Sequence, residues 1–97
     1  MTEKRVRVGI IGCGKIAVTH AAGLANIPEA EFTATCDVDL SRAQALAAEH
    51  NVPHAFGSLD ELFAANVVDA VLVCTPHPTH EAAVVAAARA GVHVLCE

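Results

Sequence analysis

The sequence predicts an α/β fold: a doubly wound parallel sheet that is incomplete at its C-terminal side. Five apolar, β-branched runs alternate with four helical patterns along the 97 residues, and this alternation indicates parallel strands joined by right-handed crossover helices. The composition, 54% hydrophobic with a mean hydropathy of +0.45, suits strands that are covered on both faces. The length leaves room for one small domain, so residues 1–97 are predicted to form a single unit.

The strands are predicted from runs of apolar and β-branched residues bounded by glycine, proline or polar residues. They cover residues 5–11, 31–37, 52–56, 67–74 and 92–96. Pro53 weakens the third run and indicates a strand at the edge of the sheet. The fourth run, VVDAVLVC, has the strongest strand character, and the fifth run closes the sequence.

The helices are predicted from apolar residues at helical spacing and from capping residues. They cover residues 15–26, 41–50, 58–63 and 79–90. Ser41 and Gln44 have the spacing of a capping box at the start of the second helix, and Ser58 and Glu61 have the same spacing at the third. Gly91 suits the left-handed position after the last helix.

The charge distribution argues against nucleic acid and membrane partners. The formal net charge is -5 and the basic residues form no run longer than Lys4-Arg5, so nothing in the sequence attracts a polyanion. The apolar stretches stop well short of the roughly 20 residues that a membrane span needs, and no signal-peptide pattern opens the sequence. We therefore expect a cytoplasmic protein.

The cysteines are predicted to be small buried residues and not ligands. They are Cys13, Cys36, Cys74 and Cys96, which lie far apart without a C-x-x-C pair. His77 and His80, spaced i, i+3, could bind a metal only if Cys74 or Cys96 supplied further ligands. No metal site is predicted.

A G-x-G-x-x-A motif, Gly12-Cys13-Gly14-Lys15-Ile16-Ala17, lies where the first strand passes into the first helix. In a dinucleotide site, the first glycine permits the tight turn, the second leaves room for the pyrophosphate, and the small third residue lets the helix approach the sheet. The N–H groups at the helix start would face the phosphates. The alternative is an ordinary glycine turn, so the motif predicts a cofactor site at Gly12, Gly14, Lys15, Ile16 and Ala17.

Asp37, at the end of the second strand, strengthens this interpretation because a carboxylate there can accept hydrogen bonds from the adenosine ribose. The same carboxylate would repel a 2′-phosphate, and Asp39 would add to the repulsion. NAD is therefore favoured over NADP. Arg42 could oppose this preference by pairing with a phosphate, or it could be a solvated residue of the helix start.

With these motifs the sequence resembles the Gfo/Idh/MocA oxidoreductase family over nearly its whole length. The resemblance rests on VGIIGCGKIA followed by His20, on CDVD, on SLDEL, on DAVLVCTP followed by His80, and on GVHVLCE. It implies an NAD(P)-binding Rossmann domain. It also implies hydride transfer between the nicotinamide and a hydroxyl or carbonyl carbon of a small sugar or cyclitol-like substrate.

The resemblance further implies which residues lie near the nicotinamide. Family members place the ring beside a T-P-N-x-x-H segment, which here begins with Thr75 and Pro76, ends with His80, and carries His77 in place of the asparagine. An imidazole offers different hydrogen-bond geometry from an amide, and His77 is also a candidate general base. Glu97 matches the glutamate of a Glu-Lys-Pro segment whose lysine contributes to the catalytic site.

Since the sequence stops at Glu97, we expect the natural protein to be longer and to carry a C-terminal substrate domain. The 97 residues alone are then expected to bind the cofactor without turnover. An uncovered last strand would favour self-association, so a homo-oligomer is predicted. The alternatives are a stand-alone dinucleotide-binding module and a structural remnant that uses the sheet for association.

Overall fold

The structure, a computed structural model, describes residues 6–24, 26–75 and 77–96, apart from the side chains of residues 15, 16, 77–80 and 96. The strands in these ranges are β1 (Val6–Ile11), β2 (Ala30–Cys36), β3 (His54–Phe56), β4 (Ala70–Val73) and β5 (His93–Cys96). They form one sheet in the order β3-β2-β1-β4-β5, and all four pairings are parallel.

Four helices connect these strands: α1 (Lys15–Leu24), α2 (Leu40–Glu49), α3 (Leu59–Ala64) and α4 (His77–Ala90). The predicted α/β fold with a parallel sheet is therefore confirmed. The edge position predicted for the proline-bearing third strand is also confirmed, because β3 pairs with β2 alone among the described strands. In the same ranges, no helix is long and apolar enough to cross a membrane.

The core lies on both faces of the sheet, as adjacent strand residues point to opposite sides. Ile10 belongs to a cluster with buried residues of α1 and α2, including Ala17 and Leu46. Ile11 belongs to a second cluster with buried residues of α3 and α4, including Leu62. The two clusters explain why β1 carries an unbroken apolar run towards its carboxyl end, since its last four residues are buried.

The strand order creates a topological switch point beside β1. The chain moves outward from β1 to β2 and β3, and then returns to form β4 on the other side of β1. In open α/β sheets of this kind, ligands bind outside the carboxyl ends of the strands at the point where the order reverses. The loops that follow β1, β2 and β4 meet at this edge.

Several predicted element boundaries differ from the observed ones by a few residues, and two of these differences have clear local reasons. The second helix begins at Leu40 and not at Ser41, because the carboxylate of Asp39 caps it by accepting hydrogen bonds from the N–H and hydroxyl of Ser41. The fourth strand is shorter than predicted, because Val67 and Val68 precede it in a loop. The predicted role of Ser58 as the cap of the third helix is confirmed, since its hydroxyl accepts from the N–H of Glu61 at 3.2 Å and donates to the Glu61 carboxylate at 3.3 Å.

Val68 is buried in that loop because β1 leaves room for it. A Cβ atom at Gly9 would lie 2.8 Å from Cγ1 of Val68, closer than carbon atoms approach each other. The apolar character of Val68 therefore reflects packing against β1, not pairing in the ladder. A sequence pattern cannot distinguish these two reasons for burial.

Candidate cofactor-binding site

The candidate site lies at the carboxyl edge of the three central strands. The N–H of Gly12, just after β1, donates to the carbonyl oxygen of Cys36 at the end of β2, at 2.7 Å. The N–H of Cys74, just after β4, donates to the carbonyl oxygen of Ile11 at 2.8 Å. The turn after β1 is thus flanked by the two neighbouring strand ends, as the motif predicts.

Gly12 is required by the protein's own backbone. Its φ is +91°, and a Cβ atom there would lie 2.9 Å from both the carbonyl carbon of Cys74 and the backbone nitrogen of Thr75. L side chains rarely adopt this conformation, and a backbone neighbour cannot move aside cheaply. The role predicted for the first glycine, a tight turn, agrees with this geometry.

Gly14 shows the opposite situation. It is exposed, and a Cβ atom there would meet none of the described residues within 4 Å. The fold itself therefore does not demand a glycine at this position. An open space in front of a glycine at a strand-to-helix turn is what a closely approaching ligand needs.

The start of α1 points backbone donors towards this space. The N–H of Val18 makes the first helical hydrogen bond, to the carbonyl oxygen of Gly14 at 3.3 Å, so the N–H groups of residues 15–17 have no carbonyl partner within the helix. Ala17 is fully buried among the residues that join α1 to the sheet. Its small side chain allows the close helix approach that the motif predicts.

The carboxylate of Asp37 is fixed at this edge by two backbone donors. Its Oδ2 accepts from the N–H of Cys13 at 2.8 Å, and its Oδ1 accepts from the N–H of Asp39 at 2.8 Å. A carboxylate has about four acceptor positions, so both oxygens keep capacity for further donors. Asp37 is thus held directly beside the glycine turn.

The bond between Cys13 and Asp37 was not predicted from the sequence. The D-x-D spacing of Asp37 and Asp39 is a signal for the local bond, because Asp side chains commonly accept from the N–H two residues ahead. The bond from Cys13 depends on the register of β1 against β2, in which Ile11 pairs with Cys36. A single sequence does not reveal that register.

Val38 is a second feature that the motifs did not single out. Its side chain is 94% exposed, the largest value among the exposed large hydrophobic residues of the described ranges. It follows Asp37 directly, on the turn between β2 and α2. The signal available in the sequence was an apolar residue between the two aspartates of CDVD.

The two buried thiols near the turn are strongly protonated. Burial raises the pKa of the Cys13 thiol to about 12, and the Asp37 carboxylate adds to the rise. Burial likewise raises the pKa of Cys36 to about 11. Both cysteines are buried and free, as expected for structural residues, and their low thiolate content makes them poor nucleophiles at neutral pH.

These two thiols should make the protein lose stability in alkali. Their folded pKa values lie above the ordinary value of 9.0, so above that pH the folded state retains protons that the unfolded chain releases. Stability should therefore fall as pH rises from about 9 to about 12. The free energy of unfolding, measured with urea at several alkaline pH values, should decline less steeply with pH in a Cys13→Ala/Cys36→Ala variant than in the unmodified chain. Equal slopes would contradict the assignment.

The residues assigned to the nicotinamide side are described only in part. Thr75 is half-buried, and its Cγ2 would lie 2.9 Å from a Cβ atom at Gly12, which places it next to the glycine turn. Pro76 and Glu97 lie outside the described residues. So do the side chains of Lys15, Ile16, His77 and His80. The cofactor roles of these residues remain predictions, as do those of His77 as a base and of the histidines as metal ligands.

Together, the parallel sheet, the open glycine at the helix start and the fixed carboxylate beside it define a doubly wound dinucleotide-binding domain. The chain matches the model of the Gfo/Idh/MocA oxidoreductase family, NAD-binding Rossmann fold, over residues 6–97, and it belongs to that family. The predicted family is therefore confirmed.

The relatives include dehydrogenases of cyclic diols and polyols. The chain is 40% identical over 94 residues to the trans-1,2-dihydrobenzene-1,2-diol dehydrogenase of Macaca fuscata fuscata. It is 39% identical over 92 residues to the myo-inositol 2-dehydrogenase of Thermotoga maritima. Each alignment covers 95% of this chain and 28% of the relative.

A solved relative agrees with this assignment. The scyllo-inositol dehydrogenase of Lactobacillus casei, with bound NAD(H) and scyllo-inositol, has a TM-score of 0.88 and 28% identity over 96% of this chain and 28% of that chain. This chain thus spans a little over a quarter of the length of its relatives. The prediction of NAD as the cofactor is confirmed by the NAD-binding fold of the family.

Proposed function

We propose that this chain is the cofactor-binding part of an NAD-dependent oxidoreductase that acts on a small polyol or diol of the cyclitol or sugar class. The observation that carries the proposal is the Asp37 carboxylate, held by the N–H of Cys13 at 2.8 Å beside the open Gly14. The names of the relatives support the substrate class, since they are dehydrogenases of inositols and of a cyclic diol.

The chain's own residues bind and orient the cofactor. The N–H groups at the start of α1 and the space in front of Gly14 receive the pyrophosphate, and the positive end of the helix favours its charge. Asp37 accepts from the ribose hydroxyls. When bound, the nicotinamide supplies the hydride chemistry, and a substrate carbon must be placed against it by residues other than those described.

A preference for NAD over NADP follows from the same carboxylate. A 2′-phosphate would be attached to the ribose that Asp37 binds, and like charges about 4 Å apart repel by roughly 4 kcal/mol at an effective dielectric of 20. The two backbone donors on Asp37 keep its carboxylate from turning away. We therefore expect NADH to bind more tightly than NADPH.

We propose that the adenine packs against the side chain of Val38. The Val38 side chain follows Asp37 directly and is 94% exposed. Packing of the adenine against it would remove this apolar surface from water. Val38→Ser should weaken NADH binding by about three- to tenfold, because it removes most of this apolar contact. Calorimetric titration measures the change.

Val85→Ser is the matched control, since it removes another exposed valine, from α4. It should leave NADH affinity within experimental error. An equal loss in both variants, or no loss in Val38→Ser, would remove Val38 from the site.

The proposed activity can be tested with a chimera in which residues 6–97 replace the matching segment of the Thermotoga maritima myo-inositol 2-dehydrogenase. Oxidation of myo-inositol with NAD+ would support the proposal, and Asp37→Ala in the chimera should raise the KM for NAD+. A folded chimera that binds NADH and never turns over would instead favour the second candidate, a dinucleotide-binding module without catalysis.

A further inference from the structure

The turn from β2 into α2 carries an acidic residue that contacts both Asp37 and a cation. The backbone N–H of Asp39 donates to Oδ1 of Asp37 at 2.8 Å. Its own carboxylate oxygen Oδ2 lies 3.7 Å from Nε of Arg42, and both side chains are exposed. Asp39 therefore connects the ribose-binding carboxylate with the nearest cation along the chain.

Arg42 is the only lysine or arginine between Asp37 and the end of α2. Its guanidinium has the planar donor set that binds phosphates bidentately, and Arg42 lies in the first turn of α2, the helix that follows Asp37. As long as Asp39 is charged, that guanidinium already has an anionic partner. Hydrogen bonds from Ser41 lower the pKa of Asp39, so the partner is present at neutral pH.

We propose that Asp39 is a specificity-determining residue that disfavours NADP by engaging Arg42. The inference rests on the proposed function and extends it from Asp37 to a second acidic residue with a different mode of action. Asp37 repels the 2′-phosphate directly, whereas Asp39 keeps the guanidinium of Arg42 from neutralising it. Since the ion pair is exposed and weak in water, the effect should be a few-fold change and not a full switch.

The test is Asp39→Asn, read as the ratio of the dissociation constants of NADPH and NADH. An asparagine caps helices as well as an aspartate does, since its amide oxygen can accept from the N–H of Ser41. The ratio should fall by about three- to tenfold. Asp39→Glu, which keeps the charge, should restore most of the original ratio.

Arg42→Gln separates the two ways in which Asp39 could act. If Asp39 works through Arg42, the gain for NADPH should disappear when Asp39→Asn is combined with Arg42→Gln. If the same gain persists without Arg42, Asp39 acts only by charge repulsion, and the proposal is overturned. Asp60→Asn removes an exposed aspartate from α3 and should leave the ratio unchanged.

The outcomes also separate this inference from the proposed function. If the unmodified chain fails to bind NADH, the proposed function fails. If it binds NADH but the ratio does not move in Asp39→Asn, only the role of Asp39 is contradicted. A parallel weakening of both dinucleotides together with a lower melting temperature would assign Asp39 a structural role alone, which also contradicts the inference.

Discussion

Gly14→Asp should abolish NADH binding while the fold remains as stable as before or becomes slightly more stable. Gly14 precedes α1 at the capping position, where aspartate is a better cap than glycine by a few tenths of a kcal/mol. The same side chain would fill the open space at Gly14, where we propose that the pyrophosphate binds, and would add a negative charge there. At about 4 kcal/mol per close charge pair at an effective dielectric of 20, affinity should fall by more than about 100-fold.

Gly23→Asp provides the matched control. Gly23 lies near the end of the same helix and is exposed, and a Cβ atom there would have none of the described residues within 4 Å. The substitution makes the same change in net charge, so NADH affinity should stay within about twofold of the unmodified chain. Thermal unfolding and calorimetric titration of both variants check the pair. An equal loss of affinity in both would show that net charge, and not the glycine turn, governs binding.

Asp37→Ala should weaken NADH binding by about 1.5–3 kcal/mol, or roughly 10- to 150-fold. The variant loses the acceptors that we propose for the ribose hydroxyls and also frees the N–H groups of Cys13 and Asp39 that the carboxylate now holds. In Asp37→Ala, NADPH binding should weaken less than NADH binding, because the variant removes the repulsion of the 2′-phosphate together with the ribose contact. Titrations with both dinucleotides measure the two effects.

Asp60→Ala is the control for Asp37→Ala, since it removes an exposed aspartate from the first turn of α3. It should leave both affinities unchanged. Unaltered NADH affinity in Asp37→Ala would exclude the carboxylate from the site. An equal loss for both dinucleotides would mean that the carboxylate acts only by fixing the glycine turn.

Much of the fold could be predicted from the sequence because local patterns agree with the tertiary structure. The alternation of apolar runs and helical segments specified a parallel sheet, and Pro53 marked its edge strand. The motif alone assigned Gly12 to a tight turn, and the observed φ of +91° is a backbone conformation that suits such a turn. In these cases one residue type has one physical reason to be present.

The remaining features depend on contacts between distant parts of the chain. Both Asp39 and Ser41 are good helix caps, and the choice between them is set by where β2 ends. The burial of Val68 depends on the missing side chain of Gly9. The bond from Cys13 to Asp37 depends on the pairing of β1 with β2. Periodicity and capping rules carry no information on such contacts.

The most direct measurement of cofactor binding at this edge is an NMR titration of the 10.0 kDa chain with NADH, followed through the backbone amide signals. Binding at the carboxyl edge predicts shifts at Gly14, Ala17 and Val38, with little change at the amino edge, where Arg7 pairs with Asp69. Shifts centred on Arg7 and Asp69, or no shifts at millimolar NADH, would contradict a dinucleotide site at the glycine turn.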